Sequence, residues 1–462
     1  MSVNSDPSTQ PSIIIGGGIS GLSAAYYLAK RGLPSILIDN GKKLGGVIQT
    51  ATVSDCLLEG GPDSFLAAKP EAMALITELG LAGEVIGSND HQRATWILKK
   101  GRMIPLPEGL MMMVPTRIWP TVKSPLLSWA TKIKMGLEFF RSPKPNAPDR
   151  SVGAFVEDHY GREAVEYLAE PLLSGVYGGD PYKLSVESVL PRFAEMESTY
   201  GSLTKGTLAG LAKAPKREGS TLFKTLKNGL GSLVDAIEKS IAPHCQTLRE
   251  EAISVSIEGS EYLVQLKDQT LRTRHLIIAT PAWATAKLLA NLDPAISKLL
   301  SQIGYSSSIT VGVIYDRKDV PQKFNSFGFL VPKSERRYLV ACTFVDQKFN
   351  HRVPENRLLL RCFLGGAGNE AILSWDEGAI KQAVLDDIDS LLGLKAKPIA
   401  IEISRWPRSM AQYEVGHKKI IQELQDRLNA YPFLFLAGNG YLGIGIPDCI
   451  KSGKESADRF QN

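Results

Sequence analysis

The chain of 462 residues contains 44% hydrophobic and 22% charged residues, which is typical of a folded globular protein and excludes a disordered one. Its length is too great for one simple core and predicts two or three lobes. The formal net charge is only +5, and much of it falls between Lys99 and Lys134, where seven basic residues accompany one acid. The rest of the chain is near neutral, which excludes a uniformly basic nucleic-acid-binding protein.

The five cysteines are scattered, without a CxxC pair or a metal-ligand spacing, so we expect buried, reduced thiols and no metal site. The polar N-terminal segment lacks the basic and apolar regions of a secretory signal. No apolar run reaches the ~18 residues that predict a membrane-spanning helix. We therefore expect a cytoplasmic protein, or one attached to a membrane from its cytosolic side.

The first predicted elements form a strand–helix–strand unit. Residues 12–15 are a short apolar run typical of a buried parallel strand, and they lead directly into the glycine-rich turn 16–21. An apolar stripe at helical spacing follows over residues 22–29, and a second strand, 35–38, ends at Asp39. Strand, glycines, helix, strand and acid in this order predict a dinucleotide-binding site.

Each residue type in this unit has a physical role. Gly16 permits the tight turn, Gly18 lets backbone N–H groups approach a pyrophosphate, and Gly21 lets the helix pack closely on the strand. The Asp39 carboxylate is placed to accept hydrogen bonds from ribose hydroxyls. The glycine pair at residues 45–46 resembles the signature of FAD proteins of the glutathione reductase type, which favours FAD over a nicotinamide cofactor.

Distant segments are predicted to return to the same domain. They are a helix at 232–241, strands at 251–255 and 274–281, and a final strand at 433–439 that leads through a glycine-rich turn into a helix at 446–460. The final helix would direct the positive end of its dipole toward an anionic partner such as a reduced flavin. The opening and closing glycine clusters are therefore predicted to meet around one cofactor.

Two inserted regions separate these segments. Residues 100–219 are rich in helical patterns, whereas 286–404 contain strand-like stretches such as 309–314 and 357–361. Within the first insert, residues 100–134 combine a short apolar run with tryptophans and basic residues, a composition typical of a surface at a membrane interface. We expect peripheral membrane contact there, while an ordinary lobe that buries its methionines, or a substrate entry channel, stays open as an alternative.

Four motifs resemble those of the protoporphyrinogen/coproporphyrinogen oxidases, a haem-pathway family of the monoamine oxidase and phytoene desaturase superfamily. They are EGGPDSF at 59–65, SGVYGGDP at 174–181, QYEVGH at 412–417 and GIGIPDCI at 443–450. The resemblance covers essentially the whole chain. SGVYGGDP is its most diagnostic motif, because ordinary amine oxidases lack it.

The resemblance implies an α/β fold in which a glutathione-reductase-type FAD-binding domain carries an inserted α+β substrate domain and a helical, membrane-facing lobe. It also implies one non-covalent FAD, a porphyrinogen substrate, O₂ as the electron acceptor, a homodimer, and handover of the product to ferrochelatase. The expected boundaries are 1–72, 220–285 and 402–462 for the FAD domain, 73–100 and 286–401 for the substrate domain, and 101–219 for the lobe.

The resemblance also assigns roles to individual residues. Arg93 matches the arginine that binds a substrate carboxylate, although by itself it also fits a solvated surface cation. The other substrate-binding matches are Gly175, Phe327, Gly328, Leu330 and Phe363. The cofactor-binding matches, together with those assigned above, are Gly16, Gly18, Ile19, Ser20, Gly21, Asp39, Asn40, Gly45, Gly46, Gly61, Pro62, Asp63, Ser64, Ile253, Thr280, Trp406, Gly438, Gly443, Ile444, Gly445 and Ile446.

The implied reaction removes six electrons from protoporphyrinogen IX in three flavin cycles, and each cycle reduces O₂ to H₂O₂. It needs binding, orientation and exclusion of water rather than a conspicuous catalytic base. His159 and His417 are accordingly interpreted as structural. Coproporphyrinogen III stays open as the substrate. Other rivals are an amine oxidase, a carotenoid desaturase and a non-catalytic binding protein on the same scaffold.

Overall fold

The computed structural model describes residues 10–92, 94–145, 147–213 and 221–460. Its strands, in chain order, are β1 (Ser12–Ile15), β2 (Ser35–Ile38), β3 (Thr50–Val53), β4 (Cys56–Glu59), β5 (Phe65–Leu66), β6 (Val85–Gly87), β7 (Thr95–Lys99), β8 (Arg102–Pro105), β9 (Leu110–Met111), β10 (Val114–Pro115), β11 (Phe223–Leu226), β12 (Cys245–Leu248), β13 (Ser254–Glu258), β14 (Glu261–Gln265), β15 (Thr270–Thr273), β16 (Leu276–Ile278), β17 (Gly304–Asp316), β18 (Gly328–Leu330), β19 (Ala341–Phe344), β20 (Arg357–Gly365), β21 (Ala400–Gln412) and β22 (Leu434–Leu436).

The α-helices, in the same order, are α1 (Ile19–Lys30), α2 (Pro70–Glu78), α3 (Ile118–Lys123), α4 (Trp129–Glu138), α5 (Val152–Tyr160), α6 (Arg162–Ala164), α7 (Glu170–Tyr177), α8 (Val186–Val189), α9 (Pro191–Tyr200), α10 (Leu203–Lys213), α11 (Gly231–Ile241), α12 (Ala282–Leu288), α13 (Pro294–Ser301), α14 (Val345–Lys348), α15 (Glu377–Leu392), α16 (His417–Leu428) and α17 (Ile446–Asp458). A π-helical turn, Val165–Ala169, precedes α7, and short 3-10 turns cover Ala82–Glu84, Asp90–Gln92, Arg317–Asp319 and Glu370–Ser374.

A parallel five-stranded sheet in the order β12-β2-β1-β16-β22 is the centre of the nucleotide-binding-type domain. Its strands come from distant parts of the chain, and their carboxyl ends share one edge. Side chains alternate between the two faces: Ile14 packs toward α1, α11 and α17, whereas Ile13 and Ile15 pack toward α12 and α13. The predicted returns of the chain to this sheet near residues 276 and 434 are confirmed.

The strand predicted at 251–255 begins only at Ser254, and its assignment to the nucleotide-binding sheet is wrong. The strand that extends the parallel sheet is β12, and residues 254–258 instead begin a separate antiparallel sheet, β13-β14-β15. Ile253, a predicted cofactor-binding residue, lies between the two, where its backbone N–H donates to the Gln265 carbonyl and its side chain is exposed. Cys-Gln-Thr-Leu in β12 lacks the apolar run on which the prediction depended.

A second sheet of seven strands has the order β21-β17-β20-β19-β18-β7-β8. Only the β18–β7 pair is parallel, and α15 packs its apolar stripe against one face. The strand-like stretches predicted at 309–314 and 357–361 lie in β17 and β20. This mixed α+β unit contains the predicted substrate-domain strands, but β21 continues to Gln412, and α2 packs in the core of the nucleotide-binding-type domain. The exact domain boundaries stay predictions.

Helices α4 to α10 pack around a separate apolar core, and we call them the helical lobe; its bounds as a domain stay a prediction. Within the described ranges, no helix is both long and apolar enough to cross a membrane. All five cysteines are buried and none forms a disulfide, as predicted.

Candidate active site

The glycine-rich turn after β1 has the geometry that its sequence predicts. Gly16 has a φ of +108°, and its N–H donates to the Ile38 carbonyl at 2.8 Å. A Cβ atom at Gly21 would overlap the Gly16 carbonyl oxygen, so only glycine allows α1 to start this close to the strand. Thr280, at the end of β16, lies against Gly16 from the neighbouring strand. The packing role predicted for Gly21 is confirmed.

Asp39 fixes this turn in addition to any role toward a ligand. One carboxylate oxygen accepts the Gly17 N–H at 2.7 Å, and the other accepts the Gly41 N–H at 2.8 Å. A carboxylate oxygen can accept more than one hydrogen bond, so the group still has acceptor sites beside the exposed Asn40. The sequence predicted only the ribose contact and missed this structural role.

The second glycine pair packs directly on the first cluster. Gly45 donates its N–H to the Gly17 carbonyl at 2.8 Å, and Gly46, with φ of +59°, lies against the Cα atom of Gly18. A side chain at Gly46 would press on Gly18, whereas one at Gly45 would meet the Ile48 carbonyl oxygen and Val234. Both predicted glycine motifs therefore form one surface at the carboxyl edge of the sheet.

The opening and closing glycine clusters meet through helices α1 and α17, which lie side by side and run in the same direction. The Ser23 hydroxyl donates to the Ile450 carbonyl at 2.8 Å. About two turns further along both helices, Arg31 donates to the Ala457 carbonyl at 2.9 Å. A Cβ atom at Gly453 would overlap the Ser20 carbonyl. Because the helices are parallel and adjacent, both N-termini lie at the same end of the helix pair; that they share one cofactor stays a prediction.

The loop before α17, residues 438–445 (the closing loop), is held at several backbone positions. Gly438 N–H donates to the Ser452 hydroxyl at 3.3 Å, and Gly443 has a φ of +149°. At the helix start, Asp448 accepts the Gly445 N–H at 3.2 Å and pairs with Lys69 at 2.6 Å. α17 begins at Ile446 as predicted, with an acid in its first turn to complement the helix dipole.

The EGGPDSF loop lies where the two sheets meet. Trp406, on β21, donates its indole N–H to the Gly60 carbonyl at 2.8 Å. Arg361, on β20, donates to the carbonyls of Glu59 and Gly61. Side chains of the seven-stranded sheet, which we call the substrate sheet, thus fix the backbone of a loop that belongs to the nucleotide-binding-type domain.

Buried charges reinforce the same loop. Lys348 lies 2.9 Å from the Asp63 carboxylate, which also accepts the Ser64 hydroxyl at 2.6 Å. Burial alone would raise the pKa of Asp63, but Lys348 and Arg361 outweigh it and hold the pKa well below its usual range. Asp63 and Ser64 were predicted from the sequence, whereas Lys348 and Arg361 were missed because isolated cations in unrelated segments carry no local signal.

The residues expected to contact substrate come together only in part. Leu330 on β18 lies 3.6 Å from the Cβ position of Gly175 on α7. Leu330 and Tyr177 both border the core of the helical lobe, as does Ile444 of the closing loop. We call Gly175, Tyr177 and Leu330 the apolar wall.

The other predicted substrate residues that the structure describes lie on or beside β18 and on β20. Phe327 is buried, with its N–H bonded to the Ala94 carbonyl at 2.9 Å, and Gly328 has a φ of +148° against the Cys342 carbonyl. Phe363 is half-buried on β20 under the Arg361 guanidinium. Arg93 lies outside the described residues, so its carboxylate-binding role stays a prediction.

Comparison with known proteins decides the family. The family model "Flavin containing amine oxidoreductase" matches residues 19–460. Coproporphyrinogen III oxidase of Bacillus subtilis (strain 168) is 35% identical over 96% of this chain and 96% of its own length. Protoporphyrinogen oxidase 1, chloroplastic, of Arabidopsis thaliana is 26% identical over 98% of this chain and 88% of its own. The chain belongs to the flavin-dependent porphyrinogen oxidase family.

Solved structures agree with this assignment. A crystal structure from Exiguobacterium sp. 255-15, provisionally named a protoporphyrinogen oxidase, superposes with a TM-score of 0.87 at 30% identity and covers 98% of this chain and 99% of that chain. Cyclohexylamine oxidase from Brevibacterium oxydans IH-35A has a TM-score of 0.69 at 18% identity, which shows the shared fold alone.

FAD is the cofactor of this porphyrinogen oxidase, and the glycine clusters fit it. Gly18, the N-cap of α1, has no side-chain cap, and a Cβ atom there would meet no atom within 4 Å, so the first-turn N–H groups are open to a pyrophosphate. Bound FAD would supply the hydride acceptor. The contributions of Ile19 and Ser20 beside it, and of Pro62 in the EGGPDSF loop, stay predictions.

His159 and His417, which the sequence analysis interpreted as structural, are both buried and hydrogen-bonded. His159 lies between Glu138, at 2.9 Å, and Glu197, at 3.2 Å, in the core of the helical lobe. Arg150 also pairs with Glu197 at 2.8 Å, so this cluster is an ion-pair network that links α4, α5 and α9. His417 donates from Nε2 to the Tyr441 carbonyl oxygen, 3.0 Å away.

Proposed function

We propose that the chain oxidises coproporphyrinogen III to coproporphyrin III, removing six electrons in three flavin cycles with O₂ reduced to H₂O₂. The observation that supports this proposal is that Gln412 bonds to the helix of the apolar wall while its neighbour Tyr413 bonds to the closing loop, in a chain of this family. Coproporphyrinogen III is favoured over the protoporphyrinogen IX of the sequence-based prediction because relatives named for it are 35% and 30% identical over at least 96% of this chain.

The apolar wall suits a porphyrinogen macrocycle. Gly175 contributes no side chain, and Leu330 is held beside it on β18, so a flat apolar ring can approach closely. β18 presents Leu330 toward the helical lobe while its neighbour Phe329 points into the opposite core. A hydride donor of this kind leaves a cation that its own pyrroles stabilise, so the wall needs to orient the ring and exclude water rather than supply a base.

Protoporphyrinogen IX is the second candidate, because a relative named for its oxidation is 26% identical over 98% of this chain. Coproporphyrinogen III carries propionates where protoporphyrinogen IX carries vinyl groups on one side of the ring. Arg93 is proposed to bind a propionate, since a guanidinium pairs with a carboxylate in bidentate geometry. A homodimer and product handover to ferrochelatase stay predictions.

Anaerobic flavin bleaching separates the two substrates. We expect coproporphyrinogen III to bleach the bound flavin at least about tenfold faster than protoporphyrinogen IX, a preference of about 1.4 kcal/mol. Stopped-flow absorbance follows the bleaching, and admission of air then gives the rate of reoxidation. Faster bleaching by protoporphyrinogen IX would reverse the substrate order, and no bleaching by either compound would overturn the proposed function.

We propose that the helical lobe contacts a membrane surface through an exposed apolar stripe on α4. Trp129, Ile133 and Leu137 are 61–65% exposed and lie within an arc of about 80° of the helix. Phe140, just beyond the helix, is 77% exposed. This stripe at 129–140 extends the surface that the sequence predicted for residues 100–134. The depth to which such a surface enters a bilayer interface depends on its apolar area.

The basic residues between Lys99 and Lys134 are expected to contribute less to membrane binding than their number suggests. Lys99 pairs with Glu163 at 2.8 Å, Lys132 donates to the Ser124 carbonyl, and Lys134 donates to the Glu157 carbonyl. Cations held in this way are less available to lipid headgroups. The alternative that the lobe buries its methionines holds for Met113 but not for Met111 or its neighbour Met112, which are half exposed.

Vesicle flotation of the holoprotein tests this contact. The triple variant Trp129→Ser, Ile133→Ser, Leu137→Ser should lose at least about 90% of the wild-type binding to vesicles that contain phosphatidylglycerol, because the apolar area that enters the interface is removed. Wild-type binding should also persist at high salt. Ile399→Ser, at a 50% exposed position outside the lobe, is the matched control. Absence of wild-type binding at low salt would contradict the proposal.

A further inference from the structure

Gln412, the last residue of β21, and Tyr413, which follows it, hold two different parts of the candidate site. Successive side chains of a strand point in opposite directions, and Gln412 and Tyr413 do so here. Gln412 reaches the helix that carries the apolar wall, whereas Tyr413 reaches the closing loop. Both residues belong to the QYEVGH motif, whose role neither the glycine clusters nor the chemistry of the substrate explains.

Gln412 fixes the apolar wall. Its side-chain amide donates to the Tyr177 carbonyl at 2.7 Å and to the Ser306 hydroxyl at 3.0 Å. A Cβ atom at Gly179 would overlap the Gln412 amide oxygen, so the SGVYGGDP segment packs directly on this side chain. Because Tyr177 is the last residue of α7, the contact sets where that helix ends.

Tyr413 fixes the closing loop. Its hydroxyl donates to the Asn439 carbonyl at 2.7 Å and accepts the Gly443 N–H at 2.7 Å. The ring is buried and stacks on the His417 imidazole, with centroids 4.1 Å apart and planes 13° apart. His417 in turn contacts the Tyr441 carbonyl at 3.0 Å. Alternate backbone groups at 439, 441 and 443 are therefore held by one stacked pair.

Burial of His417 supports this geometry. It lowers the pKa of the imidazole, although the hydrogen bond to Tyr441 opposes the shift. A neutral ring with hydrogen on Nε2 donates to the Tyr441 carbonyl. The lowered pKa favours this neutral form of the stacked imidazole.

We infer that Tyr413 is a positioning residue that sets the distance between the closing loop, where bound FAD would lie, and the apolar wall, which is proposed to contact the substrate. The inference deepens the proposed function and rests on it for the identity of the substrate. It assigns different effects to neighbouring residues: Tyr413 acts on the cofactor side of the cleft and Gln412 on the substrate side.

The variants Tyr413→Phe and Gln412→Met test this division. Tyr413→Phe keeps the ring but loses both hydroxyl hydrogen bonds, so FAD should leave the diluted holoprotein about tenfold faster, and kcat should fall with KM little changed. The bound-flavin absorption maxima and the flavin midpoint potential should also shift. Gln412→Met should raise KM about tenfold and leave the FAD dissociation rate unchanged. Flavin fluorescence on dilution, absorption spectra and steady-state kinetics measure these effects.

Tyr431→Phe is the matched control, because that hydroxyl bonds to Asp293 at 3.2 Å on the far side of the nucleotide-binding-type domain. It should change none of these quantities. The inference would be overturned if Tyr413→Phe left both the FAD dissociation rate and the flavin spectrum unchanged. It would also be overturned if Tyr413→Phe and Gln412→Met had equal effects on FAD loss and on KM. If the Tyr413→Phe protein does not accumulate on expression, His417→Leu is measured instead and should accelerate FAD loss. An unchanged rate of FAD loss in His417→Leu would then overturn the inference. The FAD dissociation rate is measured without a porphyrinogen, so a failure of this inference can be distinguished from a failure of the proposed function.

Discussion

Replacing Gly21 with alanine should strongly weaken FAD binding while most of the secondary structure remains. The added Cβ would overlap the Gly16 carbonyl and contact Ala279, so α1 must move away from the strand and its first-turn N–H groups must leave the phosphate position. We expect the purified Gly21→Ala protein to be colourless, with an FAD affinity weakened at least about 100-fold, a loss of about 2.7 kcal/mol. Flavin absorbance and far-UV circular dichroism measure the two properties.

Gly136→Ala is the matched control for this substitution. Gly136 lies within α4, and a Cβ atom there meets nothing within 4 Å, so the variant should stay yellow and gain slight stability from the helix propensity of alanine. A Gly21→Ala protein with wild-type flavin content would show that α1 does not need its close approach to bind the cofactor.

Replacing Arg352 with methionine should lower the free energy of unfolding of the holoprotein by about 3–5 kcal/mol, because it leaves the charge of Glu59 buried without its partner. The two side chains are 2% exposed and lie 2.8 Å apart. Arg352 also donates to the Thr225 hydroxyl at 2.6 Å, and Glu59 accepts the Leu230 N–H at 2.8 Å at the start of α11. Urea denaturation at saturating FAD measures the loss.

Arg357→Met serves as the control, because its partner Asp316 is 3.4 Å away and both side chains are at least 20% exposed. We expect a cost below about 1 kcal/mol there. The double variant Glu59→Gln, Arg352→Met should recover part of the stability lost in Arg352→Met, since no unpaired charge remains buried. A loss under 1 kcal/mol in Arg352→Met would mean that Glu59 finds other partners in the folded state.

The arrangement of the site explains why its motifs are spread over the whole chain. The EGGPDSF loop is fixed by Arg361 and Trp406, and the closing loop by Tyr413, so strands of the substrate sheet hold loops of the nucleotide-binding-type domain. Displacement of either sheet would therefore change the cofactor and substrate sides of the cleft together.

The sequence by itself determined the features that depend on short stretches of chain. The strand, glycine turn and helix at residues 12–30 are specified by local apolar periodicity and by the absence of a Cβ at Gly21, and the start of α17 at Ile446 follows from its glycine-rich entry. The motif resemblance predicted the family and the cofactor because those residues are recognisable without knowledge of their neighbours.

Tertiary structure alone decided which distant groups meet and which faces are covered. The polar β12 joins the central sheet because β2 offers it a hydrogen-bonding edge, which no apolar pattern announces. Lys348 reaches Asp63 across 285 positions of chain, and such ion pairs depend only on folded proximity. On α4, the buried side is occupied by Met135 and Glu138, so the apolar stripe faces outward; helical spacing defines two faces, but packing chooses which of them is exposed.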